Sequence, residues 1–177
     1  MSTSSRIRPC PLPTGALLNA YRVDDTYADC FATDFAGAVS HEQFVTAFYT
    51  TWVFKLERAI LALTVSRPST DDQARQLGAG TIDDFAAWHV EKRCPDQLLL
   101  ADFPGKTRSW LMAEPIALSH GQGTRLYFGS AVVPHTDRRT GKKTLGSTYR
   151  VLLGFHKVYS VILLRAARSR LKQTREH

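Results

Sequence analysis

The chain has 177 residues, of which 44% are hydrophobic and 22% charged, and this composition excludes a wholly disordered protein. Its 23 Lys and Arg residues outnumber 16 Asp and Glu residues, which gives a formal net charge of +7. Such an excess fits an anionic partner, but a small basic domain also carries it on a solvated surface. No signal peptide is recognisable, and no segment has the ~20 uninterrupted apolar residues of a membrane span. We therefore expect a cytoplasmic protein.

The chain is predicted to form a single domain over residues 17–172. Prolines and serines dominate residues 1–16, which are interpreted as a flexible lead-in, and residues 173–177 are interpreted as a tail. Between Ala20 and Phe35, apolar residues interrupted by aspartates indicate a strand or a bent hairpin.

A long helix is predicted around residues 41–64. Ser40 and Gln43 have the spacing of a capping box, and Val39 and Phe44 have that of a hydrophobic staple. Apolar residues then recur at helical spacing along one side of this helix, and its opposite side is not very polar either. The helix is therefore either a second layer of the same domain or the interface of a homodimer.

Several strands joined by tight turns are predicted next. Residues 66–82 are interpreted as a polar link with a weak helical patch. The predicted strands are Phe85–Glu91, Leu98–Phe103, Arg108–Glu114 and Thr124–Val133, with Pro104-Gly105 as a type II turn and Gly121 and Gly123 in a loop. Such a succession is typical of an antiparallel meander.

The last helix is predicted from about Thr148 to Lys172, after a basic loop at residues 135–147. Its apolar face is predicted to include Leu152, Phe155, Tyr159, Ile162, Leu163 and Ala166. Strands grouped between helices favour an α+β fold, in which a curved antiparallel sheet carries the long C-terminal helix across it.

Most catalytic and metal-binding patterns are missing. The six histidines do not have metal-ligand spacing, so neither a metal nor another cofactor is predicted. Cys10, Cys30 and Cys94 are far apart in the sequence and form no Cys-x-x-Cys pair, which argues against a disulfide framework. The basic loop contains Arg138, Arg139, Lys142 and Lys143 without an aromatic residue, which argues against nucleic-acid binding.

One aromatic set could form the wall of a ligand cavity. Its predicted members are Trp88, Trp110 and Tyr127 on the strands, and Phe155, His156 and Tyr159 on the last helix. If the helix crosses the hollow of the sheet, these side chains would line one mostly apolar pocket. The same residues also fit a solid aromatic core. His156 is the weak candidate for a catalytic residue because histidine titrates near neutral pH.

Three short pieces of the sequence resemble a known superfamily. Trp88-His89-Val90-Glu91, Leu98-Leu99-Leu100 and Pro104-Gly105 followed by Trp110-Leu111 resemble the sheet of START-like (SRPBCC, pollen-allergen-like) helix-grip proteins. Leu152 to Lys157 is similar to the C-terminal helix of an uncharacterised bacterial branch, which is often fused to short-chain dehydrogenase-like domains. The resemblance covers about residues 17–171 and implies the helix-grip fold.

Three functions follow as hypotheses. The first is the binding of a hydrophobic or amphipathic small molecule between the sheet and the C-terminal helix. The second is a cyclase, dehydratase or isomerase of the kind found among START-like proteins, with His156 as the general acid or base. The third is a protein that dimerises through the helix around 41–64.

Overall fold

The computed structural model describes residues 6–22, 27–54, 69–133, 135–136, 143–144 and 148–175. Side chains are described up to Val133 and again from Val158. The strands are β1 (Arg8–Pro9), β2 (Tyr27–Ala36), β3 (Asp84–Phe85), β4 (Trp88–Cys94), β5 (Gln97–Asp102), β6 (Thr107–Leu118), β7 (Gly121–Val132), β8 (His135–Thr136) and β9 (Lys143–Thr144). The helices are a 3-10 helix (Leu17–Tyr21), α1 (His41–Tyr49), α2 (Asp71–Ala79) and α3 (Thr148–Arg175).

Seven strands form one open antiparallel sheet. Their order is β1-β2-β7-β6-β5-β4-β3, and every neighbouring pair is antiparallel. The predicted α+β class and antiparallel meander are confirmed. Residues 27–36 form one ten-residue strand rather than a bent hairpin, and residues 8–9 of the predicted lead-in pair with it. β8 and β9 form a separate two-stranded pair within the basic loop.

The turns of the meander differ in how well they were predicted. Gly105 has φ 70°, as the second central residue of a type II turn requires. Gly121 and Gly123 were predicted in a loop, but both belong to β7, because β6 and β7 are joined by a tight turn at Ser119-His120. The predicted strand starting at Phe85 is interrupted at Ala86, which has φ 52°, so that β3 and β4 form a short hairpin.

The sheet buries apolar side chains on both faces. One face, called here the helix face, carries Phe31, Leu111 and Phe128, which pack with buried residues of α1, α2 and α3. Their neighbours in sequence point to the opposite side, because successive side chains of a strand alternate. This opposite side, called here the N-terminal face, is covered by the segment before β2, including Ala16 and Leu18.

Helix α1 begins as predicted and ends much earlier. The Ser40 Oγ atom accepts from Gln43 N at 3.1 Å, and Gln43 Oε1 accepts from Ser40 N at 3.0 Å, so the capping box is confirmed. The prediction of one continuous helix to residue 64 is wrong, since α1 ends at Tyr49. Thr51 Oγ1 donates to Phe48 O and accepts from Phe54 N, which caps a new helical turn beginning at Trp52. Residues 55–68 of the prediction lie outside the described residues.

The polar link contains a complete helix that was predicted only as a weak patch. In α2, Thr70 and Gln73 form a second capping box, and Gly80 ends the helix in the left-handed conformation. Ala74 and Leu77 are buried on the helix face of the sheet. The capping box and the terminal glycine are both visible in the sequence, but the many polar residues between them left only a weak helical pattern.

Helix α3 runs three residues beyond the predicted end. Of its predicted apolar face, Tyr159, Leu163 and Ala166 pack in or against the core. Among its described side chains, the buried ones are Ser160, Leu163, Leu164, Ala167 and Leu171. Ile162 was predicted on the packed face, but its side chain is 40% exposed. The spacing of the buried positions is helical, so a second apolar stripe with Val158 and Ile162 is left outside the core.

Candidate functional site

The sheet separates the predicted aromatic set into two groups. Trp88 and Tyr159 pack against the core on the helix face, whereas Trp110 and Tyr127 belong to the N-terminal face. Trp88 and Trp110 also lie two strands apart, with β5 between them. The side chains of Phe155 and His156 lie outside the described residues. The four described members therefore do not line one space.

Trp110 and Tyr127 form solid core. Trp110 is fully buried, its ring centroid lies 6.1 Å from that of Tyr127, and its Nε1 atom donates to Gln97 Oε1 at 2.9 Å. The Tyr127 hydroxyl donates to Glu114 at 2.7 Å. Burial and this carboxylate raise the pKa of Tyr127 to about 12. Trp110 and Tyr127 are therefore part of a packed aromatic core and not of a cavity wall.

A groove of about 740 Å³ lies between the β1–β2 edge of the sheet and helix α3. Its lining is mostly apolar, with three charged residues among the members. The lining residues are Pro9, Cys10, Pro11, Leu12, Arg22, Tyr27, Ala28, Asp29, Cys30, Phe31, Val158, Val161, Ile162 and Arg165. None of the four predicted site residues with described side chains is among them.

Helix α3 contributes exposed apolar side chains to this groove. Val158 is 59% exposed and Ile162 is 40% exposed, and they lie one helical turn apart. Trp52 and Phe103 are also exposed, and neither lines the groove. The groove thus concentrates apolar surface in contact with solvent, which marks a binding surface more often than scattered apolar residues do.

Among the described lining residues of the groove, positive charges predominate. Arg22 and Arg165 are exposed, whereas the Asp29 carboxylate is held by other residues. Asp29 Oδ1 accepts from Ser130 N at 3.1 Å and from Ser130 Oγ at 2.6 Å, and Oδ2 accepts from the Tyr27 hydroxyl at 3.1 Å. Because these donors occupy the carboxylate, an anionic group in the groove would meet two arginines and a satisfied aspartate.

Cys10 and Cys30 lie side by side in the wall of the groove. Their Sγ atoms are 3.3 Å apart, although 20 positions separate them in sequence. No partner is predicted for either cysteine from the sequence, because the pattern around Arg8 and Pro9 does not indicate a strand. One signal was available: Ala28, Cys30 and Ala32 occupy every second position of β2, which indicates a face that another segment approaches closely.

A charged network on the N-terminal face supports the same edge of the sheet. Arg125 pairs with Asp34 through Nε–Oδ1 at 2.6 Å and Nη2–Oδ2 at 3.1 Å, and Arg8 reaches Oδ2 at 3.3 Å. Burial alone would raise the pKa of Asp34, but the hydrogen bonds and charges of Arg125 and Arg8 outweigh it and lower that pKa. The hydrogen bond to Asp34 also raises the pKa of Arg125. Arg8 thereby joins β1 to the strand pair β2–β7.

A smaller groove of about 350 Å³ is lined by Phe35, Ala36, Arg168, Lys172 and Arg175. Arg175 donates to Ala36 O at 2.8 Å and to Ala38 O, and its guanidinium lies 4.8 Å above the Phe35 ring. These contacts anchor the end of α3 to the end of β2. Burial lowers the pKa of Arg168.

No family model matches the chain, and no curated protein matches it. Among the described side chains, no group of three or more His, Cys, Asp or Glu residues is arranged to hold a metal ion. Within the part of the chain that the structure describes, no helix combines the length and apolarity needed to cross a bilayer.

Proposed function

We propose that the protein binds an amphipathic small molecule with an anionic group in the groove between the β1–β2 edge and helix α3. The observation that carries the proposal is the exposed apolar pair Val158 and Ile162 facing a groove of about 740 Å³. Small-molecule sites are concave, mostly apolar, and about 300–1,000 Å³ in volume. The groove has these properties.

The apolar part of the ligand would cover the second stripe of α3. Val158, Ile162, Leu12 and Phe31 supply apolar lining of the groove. Covering a side chain of this size is worth about 1.5–3 kcal/mol when its burial is complete. Several such contacts are sufficient for micromolar binding after the entropic cost of association is subtracted.

The polar part of the ligand would be an acid. Arg22 and Arg165 are exposed at the groove, and the hydrogen bonds to Asp29 occupy its carboxylate. A guanidinium matches a carboxylate or phosphate in geometry as well as in charge.

The helix-grip arrangement is part of this proposal. An antiparallel sheet of seven strands followed by the C-terminal helix Thr148–Arg175 is consistent with it, as is the resemblance to START-like proteins described above. In the proposed arrangement the ligand lies between the sheet and that helix, and α3 presents Ile162 to it.

The test is displacement of a fluorescent fatty-acid analogue by straight-chain carboxylic acids, by the corresponding alcohols and by alkylammonium ions. We expect the acids to compete best and the ammonium ions worst. Ile162→Asp should weaken acid binding by roughly 10–100-fold, because it removes an apolar contact and adds a repelling charge. Arg165→Glu should weaken the acids and leave the alcohols unchanged.

The matched control is Phe103→Asp, which places the same charge on an exposed apolar position outside the groove. It should bind as the wild type does. The proposal fails if the wild type binds no acid of any chain length, or if Ile162→Asp and Phe103→Asp have the same affinity.

A further inference from the structure

Cys10 and Cys30 are register partners of an antiparallel strand pair. Arg8 lies opposite Ala32 and Pro9 opposite Phe31, so the next residue, Cys10, lies opposite Cys30. The backbone of Cys10 continues the pairing, with its N–H donating to Cys30 O at 3.0 Å. Opposed residues in such a pair have Cα atoms about 4.5–5.5 Å apart, which lies inside the range of about 4.4–6.8 Å that a disulfide needs. The Cα spacing expected for this pair is therefore compatible with a disulfide.

The two thiols differ in access. Cys10 is half-buried and lines the groove, whereas Cys30 is only 4% exposed. A small reagent that enters the groove therefore meets Cys10 first. Cys30 lies beside it, with the sulfur atoms 3.3 Å apart.

The surroundings of the pair favour a thiolate at Cys10. The hydrogen bond from Cys30 lowers the pKa of Cys10, burial opposes this, and the positive charges of Arg8 and Arg125 add to the lowering. The same hydrogen bond and burial raise the pKa of Cys30. Nearby cations and a lowered pKa are typical of reactive cysteines, because the thiolate is the nucleophile.

We propose that Cys10 and Cys30 form a thiol–disulfide exchange site that accepts low-molecular-weight disulfides of the glutathione class. The Cys10 thiolate attacks one sulfur of the small disulfide, forms a mixed disulfide and releases one small thiolate. Cys30 then transfers its proton to solvent and attacks Cys10 Sγ, which releases the second small thiol. Two protein thiols are oxidised to one disulfide, and the small disulfide is reduced to two thiols. This activity does not depend on the ligand proposed above.

The experiment exposes the full-length protein to oxidised glutathione, blocks the remaining thiols by alkylation and measures the intact mass. Wild type should lose two hydrogens, keep no glutathione and retain one alkylated thiol. Cys30→Ser should hold one glutathione on Cys10, because no second thiol can release it. Cys10→Ser should not form the intramolecular disulfide.

Cys94 provides the matched control, since it lies at the end of β4 and away from the pair. Cys94→Ser should form the Cys10–Cys30 disulfide at the wild-type rate. Circular dichroism verifies that each variant is folded. Peptide mapping of the wild type after brief alkylation gives a second reading that needs no variant, and Cys10 should be labelled before Cys30.

Two results would overturn the proposal. One is a wild-type protein that retains three alkylatable thiols after prolonged exposure to oxidised glutathione. The other is a stable glutathione adduct on Cys10 of the wild type while Cys30 remains reduced, because the geometry requires Cys30 to displace it.

Discussion

Gln97 connects the N-terminal segment to the sheet through three hydrogen bonds. Its Oε1 atom accepts from Leu17 N and from Trp110 Nε1, both at 2.9 Å, and its Nε2 atom donates to Gly15 O at 3.1 Å. The Gln97 side chain and Trp110 are both buried, so the Trp110 Nε1 donor cannot turn to water without cost. A single polar residue thus fixes the position of the 3-10 helix over Trp110.

Replacing this side chain should leave the buried Trp110 Nε1 donor without an acceptor and remove the hydrogen bonds to Leu17 N and Gly15 O. We expect Gln97→Leu to lower the free energy of unfolding by about 2–4 kcal/mol, because each unsatisfied buried group costs about 1–3 kcal/mol. Urea denaturation followed by tryptophan fluorescence measures the change. Gln122→Leu, at an exposed position of β7, is the control and should stay within about 0.5 kcal/mol of wild type. Equal losses in the two variants would show that Gln97 has no special role.

Asp34 should make stability depend on pH in a defined window. Its pKa in the folded protein is lowered, so its contribution is fully present above the unfolded-state value of about 4. That contribution is lost as the pH falls through the lower folded-state pKa. We expect Asp34→Asn to cost about 2 kcal/mol at neutral pH, since it removes hydrogen bonds to a charged group. The difference from wild type should shrink below about pH 4.

His41 makes stability depend on pH over a higher pH range than Asp34 does, and this effect is the same in wild type and in Asp34→Asn. Burial is the largest cause that lowers the pKa of His41, which falls to about 4 in the folded protein. Because the unfolded histidine binds its proton near pH 6.5, the free energy of unfolding decreases as the pH drops from about 6.5 toward 4. Wild type and Asp34→Asn share this histidine, and its effect therefore cancels in their difference. The prediction for Asp34 is contradicted if the difference in unfolding free energy stays constant from neutral pH to pH 3.

At the scale of elements, α1 and α2 approach each other closely at a glycine. A Cβ atom at Gly78 would lie 2.8 Å from Thr46 Oγ1 and 2.9 Å from Glu42 O. Real side chains do not tolerate such distances, so the two helices can reach this separation only with glycine at position 78. Helix propensity alone would favour alanine there by about 1 kcal/mol.

For Gly78→Ala, the close packing of the helices therefore predicts a loss of stability, whereas helix propensity predicts a gain. We expect a net loss of about 1–3 kcal/mol in the free energy of unfolding, because the helices must move apart. The double variant Gly78→Ala with Thr46→Ala should recover only part of the loss, since the Glu42 carbonyl remains. Urea denaturation of both single variants and the double variant gives the coupling energy. Stabilisation by Gly78→Ala would contradict the close approach.

The elements that could be predicted from sequence are those with local signals. Ser40 and Gln43 marked the start of α1, and Pro104-Gly105 marked a turn, because both patterns act within four residues. The end of α1 was missed because Thr51 ends one helix and caps the next through hydrogen bonds that no periodicity reveals. The exposure of Ile162 was not predicted because apolar residues occupy more than one side of α3, and only its packing decides which of them are buried.

At the scale of the whole molecule, the candidate site could not be predicted because it depends on which face of the sheet each strand residue occupies. Trp88 and Trp110 both carry large aromatic side chains, yet they lie on opposite faces. The register between β4 and β5 shifts between Val90 and Lys92, and such an irregularity has no clear sequence signature. A one-residue error in register moves every following side chain to the other face. The pairing of Cys10 with Cys30 depends on β1, a strand of only two residues.

Oxidation of the cysteine pair should stabilise the whole fold. A disulfide between positions separated by 20 residues lowers the conformational entropy of the unfolded chain and thereby raises the free energy of unfolding by about 3 kcal/mol. We expect the oxidised wild type to unfold at a higher denaturant concentration than the reduced wild type, whereas Cys30→Ser should gain no stability under the same treatment, because its glutathione adduct closes no loop of the chain. Equilibrium unfolding of both forms measures the difference. An oxidised protein that is less stable than the reduced one would show that the bond strains β1 or β2.

The segment before β2 can cover the N-terminal face only after the later strands have been synthesised. The segment that shields Trp110 and Tyr127 is translated before the strands that it covers, but Leu17 and its acceptor Gln97 are 80 positions apart. A nascent chain therefore carries this segment undocked until the later strands have left the ribosome, and such non-local closure is slow. Until the segment docks, the apolar side of β5, β6 and β7 is bare. That interval is when a chaperone would have a surface to hold, and when crowded nascent chains would be most prone to associate.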